Sequence, residues 1–168
     1  MFTLKPLSSS AIPSALAKAE RYRLLNEPAQ AVSICEDVLK TQPAHSQAII
    51  VLILALTDQF PRLDGRLVSR AQELSRNLTT EYDRAYYAGL IAERRARALL
   101  ERGGGPGRAQ PAGGWLREAM HLYERAEAER PPDNDDARLR WNACARLLNE
   151  HPELMAPDEG PTAPVMLE

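Results

Sequence analysis

The side chains that could do chemistry are few and scattered. Cys35 and Cys144 each sit inside an apolar helical pattern, where a free cysteine behaves as a small hydrophobe. A nucleophilic cysteine needs an electropositive setting or a histidine partner, and neither is evident in the sequence. His45, His121 and His151 lack the i,i+4 spacing that puts two metal ligands on one helix face. The run Asp133-Asn134-Asp135-Asp136 is acidic, but a calcium loop needs glycine at its sixth position, and Arg138 stands there. Capping of a helix N-terminus is the better use for it. Gly103 to Gly107 precedes a helix, yet a phosphate cradle needs a Lys-Ser/Thr pair and a preceding strand. The sequence therefore assigns no catalytic residue, no metal ligand and no cofactor. A closed pocket lined by Asp58, Glu93 or His121 would reopen the enzyme reading.

Composition narrows the class further. The chain has 168 residues, 44% hydrophobic and 26% charged, which suits one folded domain with a continuous core. Its formal net charge of −2 argues against a general nucleic-acid surface. The longest apolar run, Ala48 to Leu56, is too short for a bilayer, which takes about 20 residues. Met1 to Ile12 has no apolar h-region and reads as an N-terminal arm (residues 1–12). A cytoplasmic protein follows, without nucleic-acid or membrane partners.

Hydrophobic periodicity predicts seven helices. The first runs from Pro13 to Asn26, and the second from Pro28 to Pro43 with Ala31, Ile34, Cys35, Val38 and Leu39 on one face. The third, Ala44 to Gln59, is apolar almost all round and should lie at the centre. The fourth begins near Asp64 with Leu67, Ala71, Leu74 and Leu78. The fifth runs from Thr80, a candidate N-cap, to Arg102. Its stripe of Ala85, Ala88, Gly89, Ala92 and Ala96 invites close approach by another helix. Residues 103–114 read as a Gly-rich loop. The sixth helix begins near Trp115 and stops at Pro131-Pro132. The seventh carries Trp141, Cys144, Ala145 and Leu148. Residues 13–151 thus form the helical domain, and residues 152–168 read as a disordered Pro-rich, acidic tail.

Helix pairs closed by proline call for a repeat search. Ala31 and Pro43 are spaced like Ala119 and Pro131. The stretch Ala119, Tyr123, Ala126, Pro131 resembles the second half of a tetratricopeptide repeat. Ala88-Gly89 resembles the small pair of that family's first helix, and Tyr22, Ala31 and Pro43 resemble one N-terminal repeat. The resemblance implies an all-α, right-handed superhelical stack of antiparallel hairpins, about three pairs and a C-terminal capping helix. Lys18 departs from the family pattern, where a large apolar residue is usual.

Tyr86, Leu90, Arg94 and Arg97 fall at spacings of four, four and three, and so share one helix face. The resemblance implies that the first helix of each pair lines a concave groove. Leu16, Glu20 and Arg23 of the first helix, and Ile50, Leu54 and Thr57 of the third, would then join them. The function implied is a non-catalytic adaptor or scaffold binding a peptide or partner protein in that groove. The alternatives are a chaperone-like protein and an accessory subunit of a larger complex, and homo-oligomerisation stays open.

Overall fold

The computed structural model describes residues 2–62, 65–101 and 106–155. It is all-helical, with no strand among the described residues. The described residues form seven α-helices, α1 (Ile12–Leu24), α2 (Pro28–Thr41), α3 (Ser46–Thr57), α4 (Gly65–Arg76), α5 (Glu81–Glu101), α6 (Pro106–Ala128) and α7 (Asp136–Glu150). A short 3-10 turn, Pro152–Leu154, follows α7.

Local chemistry sets most of the ends. Pro13 and Pro28 sit in the first turns of α1 and α2, where a missing N–H costs little. His45 caps α3, its Nδ1 accepting the Ala48 N–H at 3.3 Å. Thr80 caps α5 as the sequence suggests, its hydroxyl oxygen accepting the Asp83 N–H at 2.9 Å. At the head of α7 the cap comes from Asn134, whose Oδ1 accepts the Asp136 N–H at 2.9 Å. Asn26 and Asp133 adopt positive φ, 59° and 61°, in the turns after α1 and α6. Asn and Asp tolerate that conformation better than other side chains.

Each helix packs on its neighbours in the chain, and the odd-numbered helices also touch in succession, α1 on α3, α3 on α5, α5 on α7. α3 lies at the centre. Ile49, Val51, Leu52, Ile53 and Leu56 are all buried, covered by α1, α2, α4 and α5. Each such side chain contributes about 1.5–3 kcal/mol of burial. Two cores result. One joins α1 to α4 with Ile91 and Ala98 of α5; the other joins α5, α6, α7 and Leu154. α5 contributes to both.

α5 and α6 run antiparallel, since Glu81 pairs with Arg125, Gly89 faces Tyr123 and Arg95 stacks over Trp115. The small-residue stripe is what lets them close. A Cβ on Gly89 would lie 2.8 Å from Tyr123 Cε1 and 3.3 Å from the Ala119 carbonyl oxygen.

Two expectations need correction. The segment expected to loop through Gly114 is helical from Pro106 onward, despite Pro111 inside the helix. Gly and Pro cost about 1 and 3 kcal/mol in a helix interior, so packing must outweigh propensity here. Ala112 is fully buried, and Gly113 lets the Leu154 backbone approach so closely that no side chain would fit. Residues 103–105 of the expected loop lie outside the described residues. The expected tail also begins later than residue 152. Leu154 is 2% exposed in the second core, and Arg117 Nη1 donates to its carbonyl at 3.3 Å. The rest of that tail, 156–168, lies outside the described residues.

Candidate partner-binding face

Polar side chains of the odd-numbered helices gather in two clusters. The first centres on Asp58, just past the end of α3. Arg23 of α1 donates to Asp58 from Nε at 2.7 Å and from Nη2 at 3.3 Å. Arg94 of α5 pairs with the same carboxylate and donates to Thr57 Oγ1 at 2.8 Å. It also reaches the Leu54 carbonyl at 3.4 Å. One carboxylate thereby links three helices, between two guanidiniums only 18% and 24% exposed.

The second cluster centres on Glu93, a charged residue with no solvent exposure. Tyr123 of α6 donates its hydroxyl to Oε2 at 2.8 Å, and Arg97 donates from Nε to Oε1 at 2.9 Å. Arg140 of α7 reaches Oε1 at 3.4 Å. Burial alone would disfavour the Arg140 charge. Glu93 foremost, then Tyr86 and Tyr123, overcomes that and holds the guanidinium above its ordinary value. Burial, followed by the Glu93 charge and hydrogen bond, pushes the Tyr123 phenol far up, so it stays a donor. Tyr86 packs among Tyr82, Tyr87 and Tyr123, with ring centroids 5.1–5.8 Å apart.

Against this geometry the ten expected groove residues divide. Leu16, Thr57 and Leu90 are buried, at 7%, 2% and 2% exposure, and belong to the packing rather than to an open face. That corrects the expectation for these three. Leu16 joins the first core, and the Thr57 hydroxyl donates to the Leu54 carbonyl and accepts from Arg94. Arg23, Arg94 and Arg97 lie on the face but are engaged in the two clusters. Ile50, Leu54 and Tyr86 are half-buried, with part of each side chain open; Ile50 packs against the first core and Tyr86 against the second. Glu20 is exposed and accepts from Gln47 Nε2 at 3.2 Å.

Asp58, Glu93 and His121 do not come together. His121 is exposed beside Glu124, while the two carboxylates anchor separate clusters. The sequence did carry a signal for the second cluster. Glu93 stands four residues after Gly89, on the small-residue stripe, with Arg97 four further on, and a charge in such a stripe needs partners. Arg140 has no comparable signal, because only the fold brings α7 alongside.

A separate groove of about 450 Å³ opens between α4 and α6. Its floor is Ala85, Ala88 and Ala92, and Trp115 and Leu122 stand on one wall. The small-residue stripe is therefore covered by α6 along one side and left partly open along the other.

Cys35 and Cys144 are fully buried, one in each core. Burial pushes both thiols up to about 12, opposed by Arg23 at Cys35 and reinforced by Glu93 at Cys144. The thiolate is the reactive form, so neither is a nucleophile at neutral pH. An unfolded cysteine titrates near pH 8.5. The raised value means that the folded state holds its protons more tightly. This stabilisation is whole below about pH 8.5 and is lost as pH rises toward the folded value. The urea midpoint should therefore hold steady between about pH 7 and 8 and fall above about pH 9. A thiol reagent at about pH 8 should label both cysteines in denaturant and neither in the folded protein. Rapid labelling of the folded chain would contradict the burial.

Among the described residues, no group of three or more His, Cys, Asp or Glu is placed to hold a metal ion, and no helix is long and apolar enough to cross a membrane. No protein-family model matches the chain, and no curated protein matches it.

Proposed function

We propose that this chain is a non-catalytic, tetratricopeptide-like scaffold of the cytoplasm that binds a peptide or partner protein. The binding face is the layer of odd-numbered helices. In this reading the helices form three hairpins, α1–α2, α3–α4 and α5–α6, stacked into a right-handed superhelix with α7 as the cap. The observation that carries it is the succession of contacts α1–α3–α5–α7, which lays alternate helices side by side in one layer. Such a layer offers a broad face built on rigid elements, suited to an extended or helical peptide. Ile50, Leu54 and Tyr86 supply partly open apolar surface there, and Glu20 supplies an exposed polar rim.

The polar clusters support binding over catalysis. Asp58 and Glu93 are each spent on two arginines, and both thiols are held protonated. The Asp58 and Glu93 links fix the spacing between helices, which a preorganised face requires. α3, apolar almost all round, is covered by its own neighbours and needs no second chain to bury it.

The test is capture of partners from native lysate with the intact chain and with a Glu20→Arg/Ile50→Glu variant whose helicity is unchanged by circular dichroism. A partner retained by the intact chain and lost by the variant is the expected result. Equal recovery by both would remove binding from this face.

A further inference from the structure

Phe2 and Leu4 carry apolar surface that lies open among the described residues. Phe2 is 101% exposed and Leu4 is 67% exposed. The arm is tethered just beyond them. Leu7 packs against the first core, and its carbonyl accepts the Thr41 hydroxyl at 3.3 Å. Leu7 also forms one wall of an open pocket of about 380 Å³ between α1 and α2. Ala11, Ala15 and Ile34 supply its other apolar walls, and Lys18 and Asp37 stand at the rim. A pocket of that size takes a small apolar group or two.

We propose that two copies of this chain associate by exchanging arms, Phe2 and Leu4 of each filling the pocket between α1 and α2 of the other. Arm and pocket share one end of the molecule, meeting at Leu7. A single two-fold axis can therefore satisfy both contacts at once, with the same patch used on each side. The area is adequate. A buried aromatic ring removes about 150–250 Å² from water. Two phenylalanines bring about 300–500 Å², and with the two leucines and the walls they cover the total is that of a small interface, suited to a weak, concentration-dependent dimer. Charge agrees with the exchange. Asp37 at the rim has one ion pair, a 3.8 Å contact to Lys40, and the arm brings Lys5, which has no ion pair among the described residues. Lys18, the other charge at the rim, makes no ion pair with Asp37 among the described residues, which leaves that carboxylate a partner to gain.

The test is sedimentation equilibrium of the full chain over a wide concentration range, beside a Phe2→Ser/Leu4→Ser variant and a Ser14→Arg variant. Ser14 is exposed and lines the pocket, so arginine there blocks entry without disturbing the core. The intact chain should show a monomer–dimer equilibrium, and each variant should weaken it by at least about tenfold, or about 1.4 kcal/mol. An intact chain that is monomeric throughout would overturn the proposal. So would a dimer that either variant leaves unchanged, because the arm or the pocket would then play no part.

Discussion

Replacing Glu93 by alanine is expected to lower the free energy of unfolding by about 3–5 kcal/mol. The reason is what the substitution strands. Glu93 is fully buried and accepts from Tyr123, Arg97 and Arg140, so its loss leaves a buried phenol and two guanidiniums without their shared carboxylate. Removing one member of a buried charge cluster costs far more than an exposed pair is worth. Glu93→Gln keeps the shape and loses the charge, and should cost about 2 kcal/mol, the scale of hydrogen bonds to charged groups. For a domain of this size each kcal/mol lowers Tm by about 2–4 °C, so the alanine variant should melt about 10 °C lower. Urea unfolding followed by circular dichroism measures both. A loss below about 1 kcal/mol for alanine would mean that the cluster is peripheral to stability. Because the cluster joins α5, α6 and α7, the α7 amides should also lose protection from hydrogen exchange before those of α3.

Placing a branched side chain at Gly89 is the second large effect. A valine Cβ there would lie 2.8 Å from a Tyr123 ring that is fully buried and held by its bond to Glu93. Overpacking of this kind costs about 1–3 kcal/mol, and valine should reach the upper end because it adds two methyls beyond that Cβ. Gly89→Ala is the informative control. Alanine gains about 1 kcal/mol of helix propensity over glycine, yet its Cβ meets the same ring. A net loss is expected, smaller than for valine. A Gly89→Ala variant more stable than the parent would show that the helices can separate at little cost. Shrinking the neighbour should relieve the strain, so Gly89→Val should cost less in a Tyr123→Leu background than alone.

Much of the scaffold was legible because local pattern and burial agree. The unbroken apolar run from Ile49 to Leu56 predicts a helix covered on several sides, and α3 is that helix. Cys35 and Cys144 sit on apolar faces and are core residues. Where long-range packing overrides local preference, the sequence misleads. Pro106 to Gly114 reads as a loop by composition, and becomes helix because Ala112 and Gly113 fit against Leu154. Leu154 in turn reads as tail, since nothing nearby in sequence announces the contact. The face of α5 shows the same division. Helical spacing places Tyr86, Leu90, Arg94 and Arg97 together, but not that Leu90 is buried or that Asp58 holds Arg94 and Arg23. Pairing across 35 residues depends on the stacking of helices, which no local window contains.

The most direct measurement of the central reading is site-specific photocrosslinking of the captured partner. A photoreactive residue would be placed in turn at Glu20, Gln47 and Ile50 on the odd-helix layer, and at the exposed Ser33, Glu73 and Glu124 on α2, α4 and α6. The account predicts partner crosslinks from the first three positions and none above background from the others. Crosslinks confined to Ser33, Glu73 or Glu124 would place the partner on the even-numbered helices and contradict it.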